Sequence, residues 1–187
     1  MRAFSVLATI TAVALSVSAA PQNKRAISDN VQSCVNGLTS SNVKLLELSE
    51  ALKVFKRADG YTGALSLHTH EQALDAAFNI TSTDCCAITS TVSDEEATAI
   101  FGLVGDFVPD IINSFDIIIS KKPELDAIFL ATSIAKADIK TLSGYLRQVD
   151  GCLIAVTPEP LLATVQSYMD TIDTKLIATY AAYNITS

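Results

Sequence analysis

Catalytic and metal-binding groups are scarce in this sequence. It has two histidines in 187 residues, no glycine-rich phosphate loop and no G-x-S-x-G turn. His68 and His70 stand two apart, so on a helix they point about 200° away from each other and cannot share a metal. Neighbouring Glu71 and Asp75 do not complete a site of ordinary ligand spacing. The histidines read as surface groups, or as one satisfied buried imidazole. The acidic run Asp94-Glu95-Glu96 is explained by a helix N-terminus, where negative charge is favoured. No metal, no cofactor and no catalytic residue is expected, and the protein is not read as an enzyme. Basic charge is also short, with 13 Lys and Arg against 20 Asp and Glu. An acidic surface repels nucleic acid and anionic headgroups, so nucleic acid is excluded as a partner. Beyond the first twenty residues no apolar run is long enough for a transmembrane segment. The end at Ser187 also lacks the spacer and tail of a lipid-anchor signal.

The N-terminus reads as an export signal. Arg2 supplies the positive end, Ala3 to Leu15 the apolar stretch, and Ser16, Ser18, Ala19 and Ala20 the small residues of a cleavage site. Residues 1–19 are expected to be the signal peptide, and residues 20–25 a propeptide ending at the dibasic pair Lys24-Arg25. Residues 26–187 are left as one domain, of a length that can bury its own core. Without Arg2, Lys24 and Arg25, ten basic residues face 20 acidic ones and the formal charge is −10. The chain is nevertheless 49% hydrophobic, with mean hydropathy +0.35. Such a composition fills a core and leaves apolar surface to spare. Cys34, Cys85, Cys86 and Cys152 form an even set, which in an exported chain argues for disulfides. Asn79-Ile80-Thr81 and Asn184-Ile185-Thr186 are glycosylation sequons. The expected location is extracellular or in a cell wall.

The apolar pattern has helical period almost throughout. A first seam runs Val31, Cys34, Leu38, Leu45, Leu48, Leu52, Phe55, with Ser41 standing in at one step. After a polar break at Lys56–Gly63, a second runs Leu67, Leu74, Phe78, Thr81, Cys85, Ile88. Ser93-Asp94-Glu95-Glu96 is a capping box opening a third helix with Ala97, Ile100, Val104, Phe107, Ile111, Phe115 and Ile118. Pro109 predicts a kink there, and Lys121-Lys122-Pro123 predicts its end, with Pro123 in the first turn of the next helix. The fourth seam is Leu125, Ile128, Thr132, Ala135, Ile139, Leu142, Leu146, Val149, with Gly151 as its stop. Thr157-Pro158-Glu159-Pro160 predicts a capped start for the fifth, which carries Leu162, Val165, Met169, Ile172, Leu176, Thr179 and Tyr183. Five amphipathic helices with short connections imply an all-α, up-down antiparallel bundle.

In that bundle, with turns near residues 59 and 122, Cys34 lies level with about residue 84 and Cys152 with about residue 92. All four sulfurs therefore meet at one end. Adjacent cysteines seldom bond to each other, so Cys34 pairs with one of Cys85 and Cys86, and Cys152 with the other.

The stretch Phe107 to Ile119 is apolar around much of its girth. That fits a central helix enclosed by the other four. It also fits a helix whose spare apolar surface lines a cavity or meets a hydrophobic partner, a reading that Pro109 and the nearby glycines favour because a bent helix packs imperfectly. The candidate lining is Phe101, Val104, Phe107, Ile111, Phe115 and Leu142.

Four segments together, Gly60-Tyr61-Thr62-Gly63-Ala64-Leu65-Ser66-Leu67-His68-Thr69, Leu74-Asp75-Ala76-Ala77, Ser93-Asp94-Glu95-Glu96-Ala97 through Ile100, and Ile118-Ile119-Ser120-Lys121-Lys122-Pro123-Glu124-Leu125-Asp126, resemble the fungal hydrophobic-surface-binding protein A family, also called cell-wall galactomannoproteins. The resemblance covers about residues 27–183. It implies a secreted or wall-associated helical protein that adsorbs to hydrophobic surfaces, helps to recruit a polyester-degrading hydrolase, or holds a long-chain lipid between its helices. The four-cysteine set departs from the family pattern. Stapling one end restricts opening there and leaves movement to the other end, near Lys56–Gly63 and Lys121–Pro123. A structural wall mannoprotein or secreted effector without lipid is the alternative.

Overall fold

The three-and-four spacing becomes five helices: α1 Asp29–Val54, α2 Gly60–Cys86, α3 Asp94–Asp126, α4 Ala131–Val156 and α5 Leu162–Tyr183. Short 3-10 turns at Arg57–Asp59 and Glu159–Leu161 precede α2 and α5. These come from a computed structural model that describes residues 27–186. The expected signal peptide and dibasic segment lie outside the described residues.

The helices run up and down in an antiparallel bundle. Their neighbour relations close a ring in which α1 packs on α2, α2 on α4, α4 on α5, α5 on α3, and α3 back on α1. The seams face the middle of this ring. Every α1 and α2 seam residue is buried, while Val104, Ile118 and Thr132 are half-buried and Leu162 is exposed. Two pairs of buried hydroxyls meet across helices. Ser41 and Thr81 join α1 to α2 at 2.9 Å, and Ser49 and Ser114 join α1 to α3 at 2.6 Å. A buried hydroxyl without a partner is costly, and these pairs remove the cost.

Several boundaries differ from the sequence reading. α3 does not end at Lys121-Lys122-Pro123. It runs through Pro109 and Pro123 to Asp126, because its apolar period continues from Ile118 to buried Leu125. Lys121 also ties this turn down, its Nζ donating to the carbonyls of Lys53 (2.9 Å) and Phe55 (2.8 Å). The turn comes later, at Ala127–Leu130, where Leu130 takes a left-handed backbone with φ 64°. Gly151 does not stop α4, which runs on to Val156. A glycine inside a helix costs about 1 kcal/mol, and burial of Leu153 and Val156 contributes roughly 1.5–3 kcal/mol each. Thr157 does not cap α5; its hydroxyl donates back to the carbonyl of Leu153 at 2.6 Å. The break between α1 and α2 is shorter than expected, since α2 begins at Gly60, whose φ of 62° suits glycine. Nor is α3 a central helix. It sits in the ring against α1 and α5, with Ile112, Ile117, Ile118 and Ile119 half-buried.

The capping box at Ser93 is formed. The Glu96 amide donates to Ser93 Oγ (3.4 Å), and Glu96 Oε2 accepts from the Ser93 amide (3.0 Å). The other Glu96 oxygen accepts from the amide (3.0 Å) and hydroxyl (2.7 Å) of Ser28 at the start of α1. One carboxylate therefore holds two helix starts. These donors, Ser28 foremost, lower its pKa to about 2.

The disulfides are Cys34–Cys85 and Cys86–Cys152, both at the end of the bundle where α1 starts. Successive residues on a helix point about 100° apart. Cys85 therefore faces α1 and Cys86 faces α4, the two neighbours of α2 in the ring.

Candidate functional site

The inner faces of α1 to α4 do not quite meet. They line an apolar cavity of about 80 Å³ that is partly open to the surface. Leu45, Leu48 and Leu52 of α1, Leu67 and Phe78 of α2, Ile111, Phe115 and Ile118 of α3, and Ala135, Ile139 and Leu142 of α4 form most of its wall. Of the sequence-expected lining, the structure brings Ile111, Phe115 and Leu142 together here. Phe101, Val104 and Phe107 lie elsewhere along α3, and Phe107 stacks on Phe78 with ring centres 5.9 Å apart. The wall on the α1 and α2 side was not anticipated, because those seams were as regular as a solid core would require.

The cavity also has a polar edge. His68 and Glu71 of α2 and Asp138 of α4 are part of its lining. His68 Nδ1 lies 3.0 Å from Asp138 Oδ1, 3.1 Å from Asp138 Oδ2 and 3.6 Å from Glu71 Oε2. Glu71 is nearly enclosed, with 7% of its side chain exposed. Burial first, then Asp75 and Asp138, push its carboxyl up to about 9. Burial likewise raises the pKa of Asp75 and of Asp138. Glu71 Oε1 and Asp75 Oδ1 are buried without a hydrogen-bond partner among the described residues. A signal for Glu71 was present in the sequence. The α2 seam steps from Leu67 to Leu74, and the skipped position, four after the first and three before the second, is Glu71. Asp138 comes from another helix, and local spacing around His68 could not reveal it.

The end of the bundle opposite the disulfides carries apolar side chains in solvent. Val54, Tyr61, Phe129 and Leu130 are exposed there, Phe129 to 82%. The Arg57 amide donates to Glu124 at 2.8 Å, which places the α1–α2 and α3–α4 turns side by side. Along α1, exposed Val43 and Leu46 continue this apolar surface toward the middle of the molecule. Both sequon asparagines, Asn79 and Asn184, are exposed, whereas Thr81 of the first sequon is buried and bonded to Ala77 and Ser41.

Five helices closed into a ring, with an apolar cavity walled by four of them and polar groups at its edge, define a helical bundle with an internal cavity. The family model for hydrophobic surface binding protein A matches residues 31–154, and the chain belongs to that family. Comparison with curated proteins gave no match. Among solved structures, AFMP4P in complex with palmitic acid superposes with a TM-score of 0.76 at 22% identity, over 82% of this chain and 99% of that one. Ligand binding domain 2 of Penicillium marneffei MP1 protein, in complex with arachidonic acids, gives 0.74 at 14% identity, over 84% and 96%. Domain 1 of the same protein, also with arachidonic acids, gives 0.73 at 18% identity, over 82% and 98%. At these identities the likeness establishes the fold.

Proposed function

We propose that this protein is an exported, non-catalytic binder of long apolar molecules, which takes an acyl chain into the cavity between α1 and α4. The observation that carries the reading is the apolar cavity walled by four helices, in a chain whose family is defined by hydrophobic-surface binding and whose structural neighbours hold palmitic and arachidonic acids. Each methylene moved from water into the cavity contributes about 0.8 kcal/mol. The cavity is smaller than the roughly 300–1,000 Å³ of ordinary ligand pockets, so uptake requires the helices to part. The gap between α3 and α4, which touch each other little, is the place for this, and the free end by Phe129 and Leu130 is the entrance, because the disulfides hold the other end shut. Ile111, Phe115 and Leu142 serve as lining.

The test is titration of delipidated protein with a fluorescent fatty acid. Saturable uptake, displaced by unlabelled palmitate, is expected. Absence of uptake there and on hydrophobic beads removes the reading.

The exposed apolar end favours adsorption to hydrophobic surfaces as a second mode. Adsorption scales with bead area instead of saturating, and Phe129→Ser with Leu130→Ser reduces it while leaving the equilibrium affinity of the cavity unchanged, since the entrance affects only the rate of uptake. Recruitment of a polyester hydrolase is the further role implied by the family resemblance, tested by hydrolase retention on protein-coated polyester. The expected export, the sequons at Asn79 and Asn184 and residence outside the cell or in its wall belong to the same reading; intact-mass measurement of protein secreted by a eukaryotic host checks cleavage after Ala19 or Arg25 and glycan at each asparagine. A purely structural wall protein would yield no lipid when purified from its native source.

A further inference from the structure

We propose that His68, Glu71 and Asp138 form a binding site for a divalent transition-metal cation of the zinc type at the polar edge of the cavity. The three groups come from two helices that the fold places side by side. His68 and Glu71, three apart, share a face of α2, and Asp138 approaches from α4. One ligand atom from each lies within 4.8 Å of the other two. Zinc bonds of about 2.0–2.2 Å in tetrahedral arrangement place neighbouring ligand atoms roughly 3.3–3.6 Å apart. The spacings from His68 Nδ1, 3.0 Å to Asp138 and 3.6 Å to Glu71, bracket that range. The third spacing, Glu71 to Asp138, lies within 4.8 Å and closes on the ion when it binds.

The second observation is the state of the carboxyls. An ion pair between His68 and Asp138 uses two of the groups and leaves Glu71 unexplained. Glu71 is more than nine-tenths enclosed, its Oε1 has no hydrogen-bond partner, and its Oε2 faces the imidazole beyond hydrogen-bond distance. Asp75, one turn further along the same face, also has an unpartnered buried oxygen. Buried acceptors without donors are rare and call for a water or an ion. Burial favours the protonated form of Glu71, and a divalent cation would bind there in exchange for that proton. Asp75 interacts with Glu71 and would help to orient it. The mixed nitrogen and oxygen donor set suits zinc better than calcium or magnesium, which take oxygen ligands. His70 lies beside Val43, Leu46, Glu47 and Val54 on a separate surface and takes no part.

The test needs no lipid, so its outcome is separate from that of the lipid reading. The full protein is stripped with a chelator, dialysed and titrated with cobalt(II), then with zinc(II) as competitor. One equivalent of cobalt is expected, with the visible absorption of a low-coordinate nitrogen–oxygen site that zinc abolishes. His68→Ala and Asp138→Asn each weaken binding by at least about tenfold, and His70→Ala leaves it unchanged. Circular dichroism checks folding; where either variant is unfolded, Glu71→Gln is read in its place and shows the same loss. Substoichiometric binding, a loss with His70→Ala equal to that with His68→Ala, or unchanged affinity in the carboxyl variants overturns the proposal.

Discussion

A methyl group added at Gly37 of α1 would stand 2.9 Å from the Thr81 hydroxyl oxygen and 3.0 Å from the Thr81 Cα of α2. The second contact is with backbone, which cannot swing aside. Gly37 is what lets these two helices approach so closely, four residues before the Ser41–Thr81 pair. Gly37→Ala should destabilise the fold. The gain in helix propensity, about 1 kcal/mol, is outweighed by overpacking of roughly 1–3 kcal/mol. Urea unfolding of the two proteins measures the balance, and an equal or higher midpoint for the variant contradicts the close approach.

Ala135 faces the cavity from α4 and is buried. Ala135→Leu places three more carbons in that space. Uptake of a fluorescent fatty acid should fall by at least about tenfold, equivalent to 1.4 kcal/mol, with a change in stability within the roughly 1–3 kcal/mol range of overpacking. Phe101→Leu, outside the lining, should leave uptake intact. Equal uptake by all three proteins would move the site away from this cavity.

The two disulfides span 51 and 66 residues, and chain-entropy arithmetic assigns about 4 kcal/mol to each. Removing Cys86–Cys152 with paired serine substitutions should lower stability by roughly that amount. It should also free the lower end of α4, so fatty-acid association should speed up while helix content is retained. Stopped-flow binding and far-UV circular dichroism read the two effects independently.

Glu96 accepts from both Ser28 and Ser93, and its pKa falls from an ordinary 4.5 to about 2. A depressed carboxyl contributes stability above its unfolded pKa and loses it on acidification. The Glu96 contribution is therefore whole at neutral pH and disappears as pH drops from about 4.5 to 2. Glu96→Ala should cost about 1 kcal/mol at pH 7, as loss of a helix cap does. The gap between the proteins should close by pH 2. A gap that is constant with pH would indicate lost packing instead of lost capping.

The helix count, the seams and the gathering of four cysteines at one end were legible in the sequence, because each depends on local spacing. A residue three or four positions from another shares its face whatever the rest of the chain does. Helix ends were less legible. Pro123 and Gly151 are unfavourable only by local terms of up to a few kcal/mol, and burial of Leu125, Leu153 and Val156 outweighs them. Propensity cannot report that burial in advance. The disulfide partners, the ring order and the cavity were decided by tertiary structure. Cys85 and Cys86 are chemically alike until α1 and α4 take opposite sides of α2. Leu45 and Phe78 read as ordinary core and Ile111 and Leu142 as candidate lining, and whether four such faces close solidly depends on how the helices approach one another. The meeting of His68 and Glu71 with Asp138 is of the same kind. It joins residues 70 apart in sequence, and only the packing of α2 against α4 brings them within reach.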